Sequence, residues 1–247
     1  MSQKYNNTDI MVKKISYQAE RLSDGLAFFD FYDPSQQRRI EGELKHEPVD
    51  LAFFGGHEFC ERKMLCLSTE EIEEGIPWPI VLCRCEVDFE VHHRMVLGAV
   101  MSLGIAREII GDIIIDEKCI QIVVKEHIAD FIAVNFVRLS NRKIQFEVLP
   151  ISQIEVKAPE FEFGNISIAS FRLDAIISSA CGISREAATD LIKGGRVKIN
   201  HEEKTKSSQI AKIGDLFSVK GKGRFILEDF SGTTKKGRNK IVIKKYV

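Results

Sequence analysis

Between Ile80 and Pro150 the apolar residues change period several times, and few folds accept the resulting order. Ile80 to Phe89 alternates as a strand, and Val91 to Leu103 repeats as a helix that Gly104 stops. Ile109 to Ile115 and Cys119 to Lys125 are strands around Asp116-Glu117. Ile128 to Leu139 then repeats as a helix, and Lys143 to Leu149 as a strand.

That β-α-β-β-α-β order matches the split βαβ unit, a ferredoxin-like, four-stranded antiparallel sheet with two helices on one face. RNA-recognition modules share this RRM-like architecture. The third strand, Cys119 to Lys125, lacks the aromatics on which such modules stack bases. A scaffold without that mode of readout is therefore expected in the middle of the chain.

The flanks divide the rest. Ile10, Val12, Ile15, Ala19 and Leu22 follow helical spacing, with Thr8 or Asp9 as N-cap and Gly25 as stop. Asp33-Pro34-Ser35 opens a second helix that runs to His46 before Pro48. Asp50 to Gly56 resembles the end of a buried strand, Lys63 to Ser68 is another strand, and Glu70 to Gly75 is expected as a short exposed helix. Pro77-Trp78-Pro79 marks a boundary, and Pro150 to Gly164 reads as a connector. The fold class is α+β in three parts: an N-terminal α/β domain over 1–78, the ferredoxin-like domain over 79–157, and a C-terminal domain over 164–247.

Hydrophobic residues at 44% and charged residues at 29% describe an ordered globular chain. No run approaches the roughly 20 apolar residues of a membrane span, and the N-terminus lacks a secretory core, so a cytoplasmic protein without a membrane partner is expected. The six cysteines show no CxxC pair or framework spacing, which points to buried thiols and to no metal.

A net charge of -1 conceals a split. Gly164 to Val247 carries 17 Lys and Arg against 8 Asp and Glu, or +9, which leaves 18 against 28, or -10, for residues 1–163. A polyanion is the natural partner of the basic end, although solvated lysines would also produce such a count.

Within that basic end, Phe171, Leu173, Ile176, Ile177 and Ala180 form one short helix ended by Gly182. Ser184 caps a second, which carries Ala187, Ala188, Leu191 and Ile192 up to Gly194-Gly195. Val197 and Ile199 then alternate with Arg196 and Lys198, glycines punctuate further strands, and Lys235-Lys236-Gly237 turns a final hairpin. Unpaired N–H groups and a guanidinium converge at Ser184-Arg185, which makes a seat for phosphate. Arg172, Lys193, Arg196 and Lys198 would extend the contact, and Lys220, Lys222 and Arg224 would widen it. Asp174 is read as a residue that caps or orients a helix. A rigid basic surface of this kind selects RNA shape more than sequence.

Arg172-Leu173-Asp174, Ile183 to Ala188, Leu191 to Asn200 and Gly214-Asp215 resemble, in order and spacing, the S4 RNA-binding domain. The resemblance implies a helix-turn-helix joined to a small sheet that binds folded ribosomal or transfer RNA. Phe53-Phe54-Gly55-Gly56-His57-Glu58-Phe59-Cys60-Glu61-Arg62-Lys63, upstream of the other two parts, resembles the YlmH family of bacteria and their photosynthetic relatives, except at Phe59 and Cys60, where smaller residues are usual. That resemblance covers nearly the whole chain. It implies a monomer that binds the large ribosomal subunit and transfer RNA with other quality-control factors. The roles implied are rescue of obstructed subunits and C-terminal tailing of stalled nascent chains, with a link to cell division.

No catalytic residue and no cofactor are expected. Cys60 near His57 is the best candidate nucleophile, but it adjoins an apolar run and lacks an orienting third group. Arg62 and Lys63 fit either an RNA contact or a structural ion pair. His92-His93 diverge on a helix and cannot form a one-face metal pair. The rival class is an RNA-modifying enzyme that docks through its S4 domain, yet residues 1–160 show no recognisable catalytic aspartate motif.

Overall fold

The computed structural model describes residues 7–23, 25–116 and 118–247. The chain divides into two compact units, Met1–Lys157 and Ala158–Val247.

In the first unit, helix α1 (Asn7–Ala19) buries Val12, Ile15 and Ala19, and it starts ahead of Thr8 and Asp9, so neither is the N-cap the sequence suggested. Strand β1 (Leu26–Tyr32) follows, an element the sequence pattern did not announce. Helix α2 (Pro34–Leu44) begins with a closed capping box. Asp33 Oδ1 accepts from the backbone N–H of Ser35 and Gln36, and Gln36 Oε1 accepts from Asp33 N at 2.8 Å. Strands β2 (Asp50–Phe54) and β3 (Lys63–Ser68) complete an antiparallel sheet in the order β1-β3-β2. One face packs Leu65, Leu67 and Tyr32 against α1 and α2.

The acidic segment Glu70–Gly75 is not the expected short helix. Six residues give fewer than two turns to offset the cost of nucleation, and neighbouring carboxylates repel. Gly75 takes φ 86°, and Ile72 N donates instead to Asp50 Oδ2 at 2.8 Å.

Strand β4 (Ile80–Glu86), helix α3 (His93–Ser102), strands β5 (Ile110–Asp116) and β6 (Cys119–Lys125), and helix α4 (Glu126–Asn135) follow in the expected sequence. The second helix ends earlier than its apolar spacing implied. Ser140 (φ 48°) and Asn141 (φ 65°) turn a two-residue hairpin between β7 (Arg138–Leu139) and β8 (Arg142–Lys143). Strand β9 (Glu147–Pro150) closes a sheet in the order β5-β6-β4-β9, with every neighbouring pair antiparallel.

One face of this sheet packs Cys83, Cys85, Ile120, Ile122 and Val124 against Val96 and Val100 of α3 and Ala129 and Ile132 of α4. The opposite face is covered as well. Ile80 and Val123 meet Phe31 and Met64 of the first sheet, and Trp78 stands 5.5 Å from the rings of both Phe28 and Phe54. Buried Gln121 exchanges hydrogen bonds of 2.7 and 2.9 Å with the backbone of Glu155. Protein therefore occupies the sheet face on which RNA-recognition modules stack bases, which gives the missing aromatics a physical reason.

The second unit begins with β10 (Phe161–Ile168), inside the segment read as a connector. Helices α5 (Leu173–Cys181) and α6 (Arg185–Lys193) meet at Gly182, whose φ of 64° ends the first. Then come β11 (Val197–Ile199), β12 (Glu202–Glu203), β13 (Leu216–Val219), β14 (Gly223–Thr233) and β15 (Asn239–Tyr246). The sheet order is β10-β15-β14-β13-β11-β12. Ile176, Ile177 and Ile192 of the helices pack on Ile166, Phe217, Leu227, Ile241 and Ile243 of the strands. Among the described residues, no helix is long and apolar enough to cross a membrane.

Candidate RNA-binding surface

The start of α5 is fixed from outside the helix. Leu173 N and Asp174 N donate to Gln209 O and Ser207 O at 2.9 and 3.1 Å, which satisfies two N–H groups that a helix start leaves unpaired. Asp174, 7% exposed, is thereby held beneath the surface. Its two oxygens accept from Arg172 Nε and Nη2, each at 3.1 Å, and Arg185 Nη2 reaches Oδ2 at 2.8 Å. Burial would raise the Asp174 carboxyl, but hydrogen bonds from the two arginines outweigh it and hold the group below the usual carboxylate range.

One buried carboxylate therefore orients two guanidiniums whose side chains remain 40% and 54% exposed. The pair keeps a surplus positive charge and N–H groups still available to an anion. Ser184 caps α6, its Oγ accepting from Ala187 N at 3.1 Å, and Arg185 is the first helical residue. Glu186, exposed beside it, adds a competing negative charge at the same helix end.

The remaining predicted cations form a second group. Lys198, Ser218 and Arg224 lie opposite one another across β11, β13 and β14. With Arg196 and Lys220 they line an open hollow of about 360 Å³. Lys220 N donates to Arg196 O at 2.9 Å, and the Arg224 guanidinium lies 4.6 Å above the Tyr246 ring. Gly195 is favoured at this turn by its left-handed φ of 65°, a conformation that costs glycine nothing. Glu203, opposite Lys198 on β12, is the acidic member of the rim. Lys193 and Lys222 are exposed but do not line the hollow.

The turn between β2 and β3 has a different role. Arg62 donates to Ile110 O, Phe31 O and Arg107 O at 3.0, 2.8 and 3.2 Å, which resolves its two readings in favour of an internal tie. Gly56 (φ 96°) sits where a Cβ would meet Ile151 Cδ1 at 2.6 Å. Cys60 is buried, and burial, with Asp112 adding to it, pushes its thiol up to about 11. Such a thiol stays protonated at neutral pH and is a poor nucleophile. A groove of about 920 Å³ in the first unit is lined by mixed charges that include Arg84, Glu86, Lys143 and Glu147.

Comparison with known proteins bears on both units. Residues 85–153 match a family model named for the RNA-binding domain in YlmH, and residues 171–217 match the S4 domain. The chain is 32% identical over 220 residues to the ribosome-associated protein quality control protein P2 of Bacillus subtilis (strain 168), an alignment spanning 87% of this chain and 86% of that one. The solved structure of the cell division protein YlmH from Streptococcus pneumoniae superposes with a TM-score of 0.51 at 17% identity. It covers 63% of this chain and 99% of that one, a likeness of fold.

Proposed function

The chain belongs to the YlmH family of RNA-binding proteins, and from that premise we propose that it grips structured ribosomal RNA on the large ribosomal subunit, with transfer RNA bound alongside. Its task on this reading is ribosome-associated quality control: rescue of obstructed subunits and C-terminal tailing of stalled nascent chains, together with other factors of that process. It acts in the cytoplasm as a monomer and catalyses no reaction itself. Three parts cooperate: the N-terminal α/β domain, a ferredoxin-like middle domain that serves as scaffold, and the S4 domain that makes the contact.

The observation that carries the reading is the pair of half-exposed arginines, Arg172 and Arg185, held on buried Asp174 beside a helix start. A guanidinium already oriented loses less freedom when it binds, and its planar fork matches two phosphate oxygens. Ser184 shapes the helix end, while Lys193, Arg196, Lys198, Lys220, Lys222 and Arg224 supply positive charge to neighbouring phosphates.

Charge reversal tests the assignment. The double variant R172E/R185E should bind isolated large subunits on the order of 100-fold more weakly in a sedimentation assay, since two charge-assisted contacts are lost and repulsion replaces them. Co-sedimentation equal to the parent protein at moderate salt would refute it.

A further inference from the structure

The second unit's sheet has a face turned away from its helices, and the pairing register identifies which residues occupy it. Ile166, Ile241, Ile243, Leu227 and Phe217 point into the helix-covered core. The alternate positions must point outward. Phe161 lies opposite Tyr246, Phe163 opposite Lys244, and Arg224 opposite Ser218, which in turn lies opposite Lys198.

Here two cations stand against three rings. Lys244 Nζ stands 4.1 Å from the Phe161 centroid and 6.0 Å from that of Phe163. Phe161 meets Tyr246 edge-on at 4.9 Å, and Arg224 lies 4.6 Å over the other ring of that pair. Phe163 is 65% exposed, at the open edge of the sheet. From β10 to β11 the row crosses four interstrand steps, roughly 19 Å. Its far end is the hollow of Arg196 and Lys220. Carboxylates on this face include Glu203, on the edge strand β12, and Asp229, opposite Val242 and one same-face position along from the Lys244 row.

We propose that this face is a platform for a single-stranded RNA segment, with a base stacked on Phe163 and phosphates met by Lys244, Arg224 and Lys198. The inference rests on the reading that this unit binds RNA, and it adds a surface distinct from the Arg172 and Arg185 pair. An exposed ring accepts the π-face of any base, and interleaved cations follow the backbone. A duplex keeps its bases stacked within the helix and has none to offer Phe163, whereas a single strand does. The two arginines on Asp174, by contrast, offer charge without a ring and suit the backbone of a folded helix.

The test uses the full chain and fluorescence anisotropy with two probes, a labelled 12-nucleotide oligouridine and a labelled RNA hairpin with an uninterrupted stem. F163A should weaken oligouridine binding about tenfold and leave hairpin binding within about twofold, with F163W restoring the oligouridine affinity. R172E/R185E should show the reverse pattern. Unchanged oligouridine affinity in F163A, or equal losses on both probes, would overturn the platform. Should the parent protein bind the hairpin but not oligouridine, the platform fails while the ribosomal reading stands. Binding to neither probe would remove both.

Discussion

In the first unit Asp112 lies among Arg62 and Arg107; in the second, Asp174 lies between Arg172 and Arg185. The ingredients are the same, one carboxylate and two guanidiniums. Around Asp112 the cations face inward. Arg62 donates to three backbone carbonyls, and Arg107 Nη1 to Ile110 O and Gly111 O at 2.6 and 3.0 Å. Burial lowers both arginines, Arg107 to about 10, and lifts the Asp112 carboxyl despite N–H groups from Glu61 and Arg62 at 2.5 and 3.1 Å. Around Asp174 only the carboxylate is buried, and its acidity moves the opposite way. A buried guanidinium is an internal cross-link, whereas a half-exposed one on a buried carboxylate keeps N–H groups open to solvent. Counting charges along the chain cannot distinguish these uses.

The sharpest way to break the contrast is to remove Arg62. R62A removes the side-chain donor from Phe31 O and Arg107 O, leaves Ile110 O its bond from Arg107, and takes one of the two cations from Asp112; it should cost about 3–5 kcal/mol in urea unfolding of the full chain. Folded R62A should bind hairpin RNA as the parent does. A loss under about 1 kcal/mol would mean that the cluster is not the tie described here.

D174N probes the other cluster by binding. Freeing two long side chains costs roughly 1–2 kcal/mol when RNA must order them again. Deleting a negative charge some 7 Å from a phosphate returns about 0.6 kcal/mol in a water-like medium. Orientation therefore outweighs repulsion, and D174N should bind hairpin RNA about fivefold more weakly at physiological salt. Tighter binding under those conditions would show that Asp174 merely dilutes the positive charge.

Much of this was legible in the sequence, for identifiable reasons. The C-terminal helix pair was readable because each helix has one covered and one exposed face, so the apolar period survives; the middle sheet, covered on both faces, was readable from its apolar runs and the breaks between them. Arg172, Arg185 and Asp174 stood out by their places in the S4-like motif and at a helix start, but their common contact depends on Gln209 and Ser207 fixing the start of α5, a tertiary fact. Strand β1 was missed because it sends apolar side chains to both sides, Phe28 and Phe31 into one cluster and Phe29 and Tyr32 into the other, and so shows no alternation. Strand β10 was missed because Gly164, with its alternate neighbours Phe161 and Phe163 facing outward, blurs the pattern. The loss mattered, since those two rings form the edge of the proposed platform. Glu70–Gly75 failed the other way: acidic composition suggested a helix where a glycine turn and the tie to Asp50 decide.

The finest test uses the opposite acidities of the two aspartates. Asp174 is depressed in the folded state, so it stabilises the fold above the unfolded carboxylate value of 3.8, and that contribution fades only as pH falls through its lower folded value. Since its arginines are 40% and 54% exposed, solvent screening keeps the contribution near about 1 kcal/mol or less. The stability difference between the parent and D174N should therefore stay level from pH 8 to about pH 5 and shrink at lower pH. Asp112 is raised instead, so between 3.8 and its folded value the native state holds the extra proton, and the fold gains from acidification there. The difference between the parent and D112N should grow as pH falls towards that window, opposite in sign to the change for D174N. Urea midpoints of the three proteins across this range measure both slopes. Parallel slopes would mean that the two clusters share one electrostatic environment, and the distinction between tying and presenting an arginine would lose its physical basis.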